Sequence, residues 1–262
     1  MNYTLKTTCD FVREKNVFLI HVDLSQYLLE YYVYRKDFAE VVTRFQDNQL
    51  KDLISSFAIH LTASIGTNSH AWTVTLISNP PYSLFVTGAN GEPDKDGISK
   101  GYIVGNVLLD HIRSSDTNAI SAQSVIGSKT TNSFVATEES EIYKIVEAYY
   151  NQSEQRPIKI SISENSDTAI GIVALPDFDE QWFESVEVNS FFNEAKTFDT
   201  VRMRTCEYVF ECSCSVEKLL PFFQALSVDE IEDWYQDDEQ LIVNCPRCGK
   251  SYIITRAMVT KN

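Results

Sequence analysis

The sequence predicts an α+β protein in three parts: an N-terminal core domain of mixed sheet and helix over 1–181, a linker over 182–211, and a small cysteine-rich C-terminal unit over 212–262. Three observations lead there. Short β-rich runs separated by Asn, Gly and Pro turns dominate the first three quarters, and only a few segments have helical spacing. Five of the 6 cysteines stand at 206 or beyond. The stretch that holds most of them is too short to build a core unaided, because domains below roughly 70 residues usually need a staple. A hydrophobic content of 44% is enough for a sizeable core in the body, and 9 Gly and 7 Pro argue against disorder or a collagen-like chain.

Val17–Val22 is a β-rich run, after which Asp23 or Ser25 is expected to cap a helix carrying Tyr27, Leu28, Leu29, Tyr31 and Tyr32. Leu50, Leu53, Ile54, Phe57, Ala58 and Leu61 recur at helical spacing and predict an amphipathic helix over 48–64. Strands are expected at 72–77, 84–87, 102–104 and 133–137, with turns at Asn79-Pro80-Pro81, Gly88–Gly91 and Asp96-Gly97, a spacing that suits an antiparallel meander. A helix follows over 138–151, with Ile142, Ile145, Val146 and Tyr149 on one face, then strands at 158–162 and 169–175. From Asp177 to Glu211, aromatic residues lie among carboxylates with weak periodicity. That stretch reads either as a helix and extended segment packed on the body or as a linker whose apolar side can come loose. In the C-terminal unit Ser215 can cap a first helix. Ser227 and Glu230 form a capping box for a second, and strands at 241–243 and 252–254 flank Cys245-Pro246-Arg247-Cys248-Gly249-Lys250.

The formal net charge of -15 disfavours binding to nucleic acid or anionic membranes. No run of eighteen apolar residues is present, so no membrane span is expected. Met1–Lys6 lacks a charged start followed by an apolar block, so a cytoplasmic, reducing compartment is expected and stable disulfides are not. Clustered cysteines there mean metal or redox chemistry.

Cys245-x-x-Cys248 on a tight turn ending in Gly249 can place two thiolates on one ion, and Cys212-Ser213-Cys214 supplies a second pair thirty residues upstream. Four soft thiolates select a single Zn2+ in a tetrahedral site and fill its coordination sphere, which disfavours hydrolytic chemistry. Two thiols one residue apart can also close a small, strained disulfide suited to reversible redox chemistry. His21, His60, His70 and His111 are dispersed and read as ordinary structural or surface residues. The glycines at 88, 91, 97, 101 and 105 match neither a P-loop nor a dinucleotide fingerprint, and hairpin turns explain them better. No catalytic constellation stands out, so an enzyme is not expected. Cys9 is unassigned, and Cys206 reads as a buried bystander or an extra oxidisable thiol.

The run Glu211-Cys212-Ser213-Cys214-Ser215, thirty residues, then Cys245-Pro246-Arg247-Cys248 resembles the thirty-three-kilodalton heat-shock chaperonin family of redox-regulated holdases. Ser153-Glu154-Gln155-Arg156-Pro157 is similar to that family's helix-ending signature, and Lys100-Gly101-Tyr102 to its basic-Gly-Tyr turn. The resemblance implies an oxidation-activated, ATP-independent holdase for unfolding client proteins under oxidative stress. Zinc would be held by Cys212, Cys214, Cys245 and Cys248 in the reduced, inactive state. Oxidation would pair Cys212 with Cys214 and Cys245 with Cys248, releasing zinc and loosening the linker, and the active form would be a homodimer. The interval between the Ser-Glu-Gln-x-Pro signature and the first cysteine pair is shorter than the family's usual one, which implies a different activation threshold or no second, unfolding-dependent step. Rival readings are a zinc-stapled interaction module without a redox switch, a thiol oxidoreductase working through Cys245 and Cys248, and nucleic-acid binding through Arg247, Lys250 and Arg256. The last is opposed by seven acidic and no basic side chains over 227–240.

Overall fold

The strand that leads into the cysteine unit is central to the architecture. The computed structural model describes residues 3–36, 42–64, 66–110 and 116–259. Among them, ten strands form one sheet: β1 Thr4–Val12, β2 Val17–Asp23, β3 Ser69–Leu76, β4 Tyr82–Ala89, β5 Ile98–Leu108, β6 Asn118–Ile126, β7 Lys129–Thr137, β8 Ile158–Ile162, β9 Thr168–Ala174 and β10 Thr200–Val209. Their order is β7-β6-β3-β4-β5-β10-β1-β2-β9-β8. Neighbours run antiparallel except β10 and β5, which are parallel. The α+β class is as predicted, and the meander holds for β3-β4-β5, whereas β6 turns back to pair with β3 and carries β7 to the sheet edge.

Helix α2, Arg44–Ala63, lies across this sheet against β1, β2, β4, β5 and β9. Its start is fixed by Thr43, whose side chain accepts from Gln46 N while Gln46 accepts from Thr43 N. Its ridge of Leu50, Leu53, Ile54, Phe57 and Leu61 is fully buried. Helix α1, Tyr27–Arg35, has no side-chain cap, because Asp23 instead accepts from Ser25 N and Oγ. Helix α3, Ile142–Tyr149, runs into a π-helical turn, Tyr150–Glu154.

In the structure the segment 182–211 is packed on the body, the first of the two arrangements the sequence allows. Helices α4, Glu180–Ser185, and α5, Val188–Glu194, bury Phe183, Val188 and Phe191 against Val12, Val17, Leu19 and Ile172. Leu19 and Ile172 belong to this cluster while their neighbours Ile20 and Val173 belong to the main core. Alternate strand residues point to opposite faces, so α4 and α5 cover the side of the sheet that α2 leaves open. Strand β10 then runs between β5 and β1 and buries Cys206 and Tyr208. Phe183, Val188, Phe191 and Tyr208 of this segment therefore have apolar partners in the body.

The glycines also differ from expectation. Gly97 does turn, with φ +76°. Gly101 instead lies within β5 opposite Tyr208, and a Cβ there would meet Ala89 O at 2.1 Å, so close strand approach requires the glycine.

Residues 212–259 form a small unit: α6 Val216–Gln224, α7 Val228–Tyr235, the hairpin β11 Gln240–Asn244 with β12 Ser251–Thr255, and α8 Arg256–Val259. Its own core is Phe223, Ile231, Tyr235, Ile254 and Val259. Ser215 and Ser227 cap α6 and α7 as expected, the latter with the Glu230 capping box.

Candidate metal centre

Two local structures bring the cysteines together. Leaving β10, the chain carries Cys212 and Cys214 in an extended stretch that ends where Ser215 caps α6. At the tip of the β11–β12 hairpin, Cys245 N donates to Lys250 O at 2.9 Å and Gly249 N donates to Cys245 O at 2.8 Å. Gly249 has φ +77°, which lets the backbone curl so that both hairpin thiols face one point. All four Sγ atoms lie within 4.8 Å of one another. Cys212 Sγ is 4.0 Å from Cys245 Sγ, and Cys214 Sγ is 3.5 Å from Cys248 Sγ. A tetrahedral ion bound by thiolates at about 2.3 Å requires sulfurs about 3.8 Å apart, so the quartet has the dimensions to hold a metal.

Two tyrosines finish the site. The Tyr252 hydroxyl lies 3.0 Å from Cys214 Sγ and donates to Cys214 O at 3.0 Å. The Tyr34 hydroxyl, from α1 of the body, lies 3.2 Å from Cys248 Sγ. Phe210 packs edge-on to Tyr27, Tyr31 and Tyr34, so an aromatic cluster joins β10, α1 and the sulfurs. Cys245 and Cys248 are buried, and Cys212 and Cys214 are half-buried. Hydrogen bonding from Cys212 and then Cys248 holds the Cys245 thiol far below the usual range, while Cys245 pushes Cys212 up, and Cys212 followed by Cys245 pushes Cys248 up. Sulfurs this close share their protons as one coupled acid, and a divalent cation relieves that crowding.

The other candidates lie elsewhere. Cys9 and Cys206 are buried on the adjacent strands β1 and β10, outside the quartet. His21 stacks on Phe192, and His60 and His70 bond to each other in the body. His111 falls outside the described residues. Arg256 pairs with Glu232 at 2.6 Å and donates to Gln236 O, so it is engaged within the unit. Among the described residues, no helix is long and apolar enough to cross a membrane. The sequence did not point to Tyr34 or Tyr252. Tyr252 sits near the hairpin cysteines and could have been noticed, whereas Tyr34 is 214 positions from its sulfur.

A family model described as Hsp33 protein matches residues 54–255, a span that includes both cysteine pairs. The chain belongs to the Hsp33 family. It is similar to the 33 kDa chaperonin of Serratia proteamaculans, with 24% identity over 89% of this chain and 92% of that one. A 33 kDa chaperonin of Pectobacterium carotovorum is 23% identical over 90% of this chain and 93% of its own. The crystal structure of the 33 kDa chaperonin from Thermotoga maritima superposes with a TM-score of 0.65, covering 97% of this chain and 96% of that one. At 13% identity that match speaks for the fold alone. The Hsp33 match begins within α2, so α1 and its Tyr34 lie before it.

Proposed function

We propose that this chain is an oxidation-activated, ATP-independent holdase that keeps unfolding proteins from aggregating, with residues 212–262 as its switch. The observation that carries the reading is the quartet Cys212, Cys214, Cys245 and Cys248, with its sulfurs at tetrahedral spacing. Membership of the Hsp33 family and the name 33 kDa chaperonin on its relatives support the chaperone part. Soft thiolates favour Zn2+, which when bound supplies the crosslink that folds the unit, a contribution of about 10–16 kcal/mol in small domains.

On oxidation, a thiolate attacks peroxide and takes one oxygen as a sulfenic acid, releasing water after protonation. The neighbouring thiolate then attacks that sulfur, a disulfide forms and a second water leaves. One peroxide accepts the two electrons of each disulfide. We assign the pairs as Cys212 with Cys214 and Cys245 with Cys248, the pairing that the resemblance to the Hsp33 family implies. Four thiolates become none, and the unit loses the ligands that fold it.

Because β10 and the α4–α5 cluster are packed into the body, the surface released first is the one the unit covers. It includes Phe210, Tyr34 and, across a cavity of about 420 Å3 from the unit's Phe223, Trp234 and Ile242, the body's Leu108 and Leu109. A bacterial cytoplasm and dimerisation of the oxidised form complete the reading, and the net charge of -15 would keep the opened form in solution. The test pairs zinc release into a chromogenic chelator with light scattering of a thermally unfolding client, with and without peroxide. Release of one zinc together with new suppression of scattering is expected. Zinc retained under peroxide and unchanged scattering would leave a zinc-stapled module without a switch and overturn the proposal.

A further inference from the structure

A second site lies in the body, at the C-terminal end of α2, and shares no residue with the sulfur quartet. It is a cavity of about 520 Å3 between α2, strands β3, β6 and β7, and the π-helical turn Tyr150–Glu154. That turn ends at Gln155 with φ +51°, a left-handed conformation unusual for a residue with a Cβ. Such turns and conformations concentrate at functional positions. Here they deliver Arg156 to the cavity wall.

Arg156 Nε and Nη2 are both buried and neither has a hydrogen-bond partner. Together they form one edge of the guanidinium, the edge that receives two oxygens of a carboxylate or phosphate side by side. A third unpartnered buried atom, His70 Nε2, lines the same cavity. Its protonation follows from a chain of contacts. Tyr150 OH is 2.8 Å from His60 Nδ1, and His60 Nε2 is 3.1 Å from His70 Nδ1. If Tyr150 donates to His60, then His60 donates to His70, and the remaining proton of neutral His70 sits on Nε2. The opposite tautomer deprives the buried Tyr150 hydroxyl of an acceptor. The relay therefore leaves a third donor without a partner on a residue of the cavity wall. The one nearby carboxylate on this wall, Glu154, accepts from Tyr149 OH at 2.6 Å. Trp72 and Tyr149 add apolar, aromatic wall.

We infer that this cavity binds a small organic oxyanion, with its carboxylate or phosphate head on Arg156 and His70 and its flat apolar body against Trp72 and Tyr149. Three buried donors without partners are costly unless such a group satisfies them, and the volume falls in the range of small-molecule sites. The test is calorimetric titration of the full reduced chain with benzoate, with phenyl phosphate and with neutral benzyl alcohol. One saturable site for benzoate or phenyl phosphate and none for benzyl alcohol is expected, and the tighter of the two identifies the head group. Arg156→Gln should weaken binding by about tenfold or more. Should that variant not fold, Arg156→Lys carries the test, because it keeps the charge without the two-donor edge. Absence of saturable binding by both anions, or unchanged affinity in the folded variant, overturns the site.

Discussion

The Tyr34 hydroxyl and the Cys248 sulfur, 214 positions apart in sequence, stand 3.2 Å from each other and tie α1 of the body to the four-cysteine cluster. A thiolate that accepts an O–H hydrogen bond is a weaker nucleophile and a better-held ligand.

Tyr34→Phe removes that bond and keeps the ring packed on Phe210. The expected variant still binds one metal per chain but releases it to peroxide about two- to tenfold faster, in line with a hydrogen bond of about 0.5–1.5 kcal/mol. Stopped-flow release into a zinc-sensitive dye checks it. A release rate equal to that of the unaltered chain would show that the contact does not govern the sulfur.

Metal removal should act locally. The unit's core of Phe223, Ile231, Tyr235, Ile254 and Val259 is small, whereas the body buries dozens of apolar residues around α2. Chelation under reducing conditions, or Cys248→Ala, is expected to unfold 212–259 and leave the ten-stranded sheet protected. Hydrogen exchange by mass spectrometry reads both at once. Full exchange across β1–β5 after chelation would count against an independent body.

What the sequence made legible was local. Ser227 with Glu230, the ridge Leu50–Leu61 and the hairpin around Cys245 each carry their signal within a dozen residues, and each is found. Strand β1 was not read, because Lys6, Thr7, Thr8 and Asp10 break its apolar pattern. Strand β6 is hidden because its buried side chains include small Ala119 and Ala122, set among the polar Asn118, Ser121, Gln123 and Ser124. The segment 182–211 leaves two readings open for a different reason. Its helices are too short to show a period, and β10 carries Arg202 and Arg204 although it lies between two strands. At the site, the cysteine spacing announced the quartet, but Tyr34 and the His60–His70 pair depend on tertiary contacts that leave no local trace.

Acidification should weaken the fold through buried imidazoles. His60 is held well below 6.5, first by burial and then by His70 and Arg156, and burial likewise lowers His70. The unfolded chain therefore takes up protons first, so this stability is present above pH 6.5 and is lost as pH falls toward the lowered folded values. Burial raises Asp52 and Glu147, whose contribution runs the other way, greatest at low pH and declining as pH rises through their folded values. One buried histidine can add a slope of about 1.4 kcal/mol per pH unit. Denaturant melts at pH 7.5, 6.5 and 5.5 should show the decline, and His60→Gln should flatten it whatever its absolute stability. An equally steep decline in the variant would remove His60 from the account.

The two cysteines outside the quartet should be silent. Burial, with help from the charge of Asp10, pushes the Cys9 thiol up to about 12, and both Cys9 and Cys206 are almost without exposure. Thiolates, not thiols, react with alkylating agents and peroxide. Under native conditions with iodoacetamide, mass spectrometry is expected to find both unmodified for hours. Modification of Cys206 ahead of global unfolding would restore it as an oxidisable thiol.

Gly101 offers the sharpest test of how the body meets the cysteine-bearing unit. It pairs with Tyr208 on β10, the strand that leads to Cys212, and an added Cβ would meet Ala89 O at 2.1 Å and the Tyr208 ring at 3.0 Å. The first contact is backbone held in the β4–β5 ladder and cannot give way without shifting a strand. Tyr208 in turn donates to Asn90 Oδ1 at 2.7 Å, and Asn90 donates to Leu61 O at 2.6 Å, so a shift propagates into α2. Gly101→Ala should therefore cost about 3 kcal/mol or more, a fall of roughly 6–12 °C in melting temperature for a chain of this size. Gly97→Ala is the control. Its Cβ would meet nothing within 4 Å, and only the φ of +76° opposes it, at about 1 kcal/mol. Differential scanning calorimetry of the two variants separates overlap from strain, and equal shifts would contradict the close packing of β5 against β4 and β10.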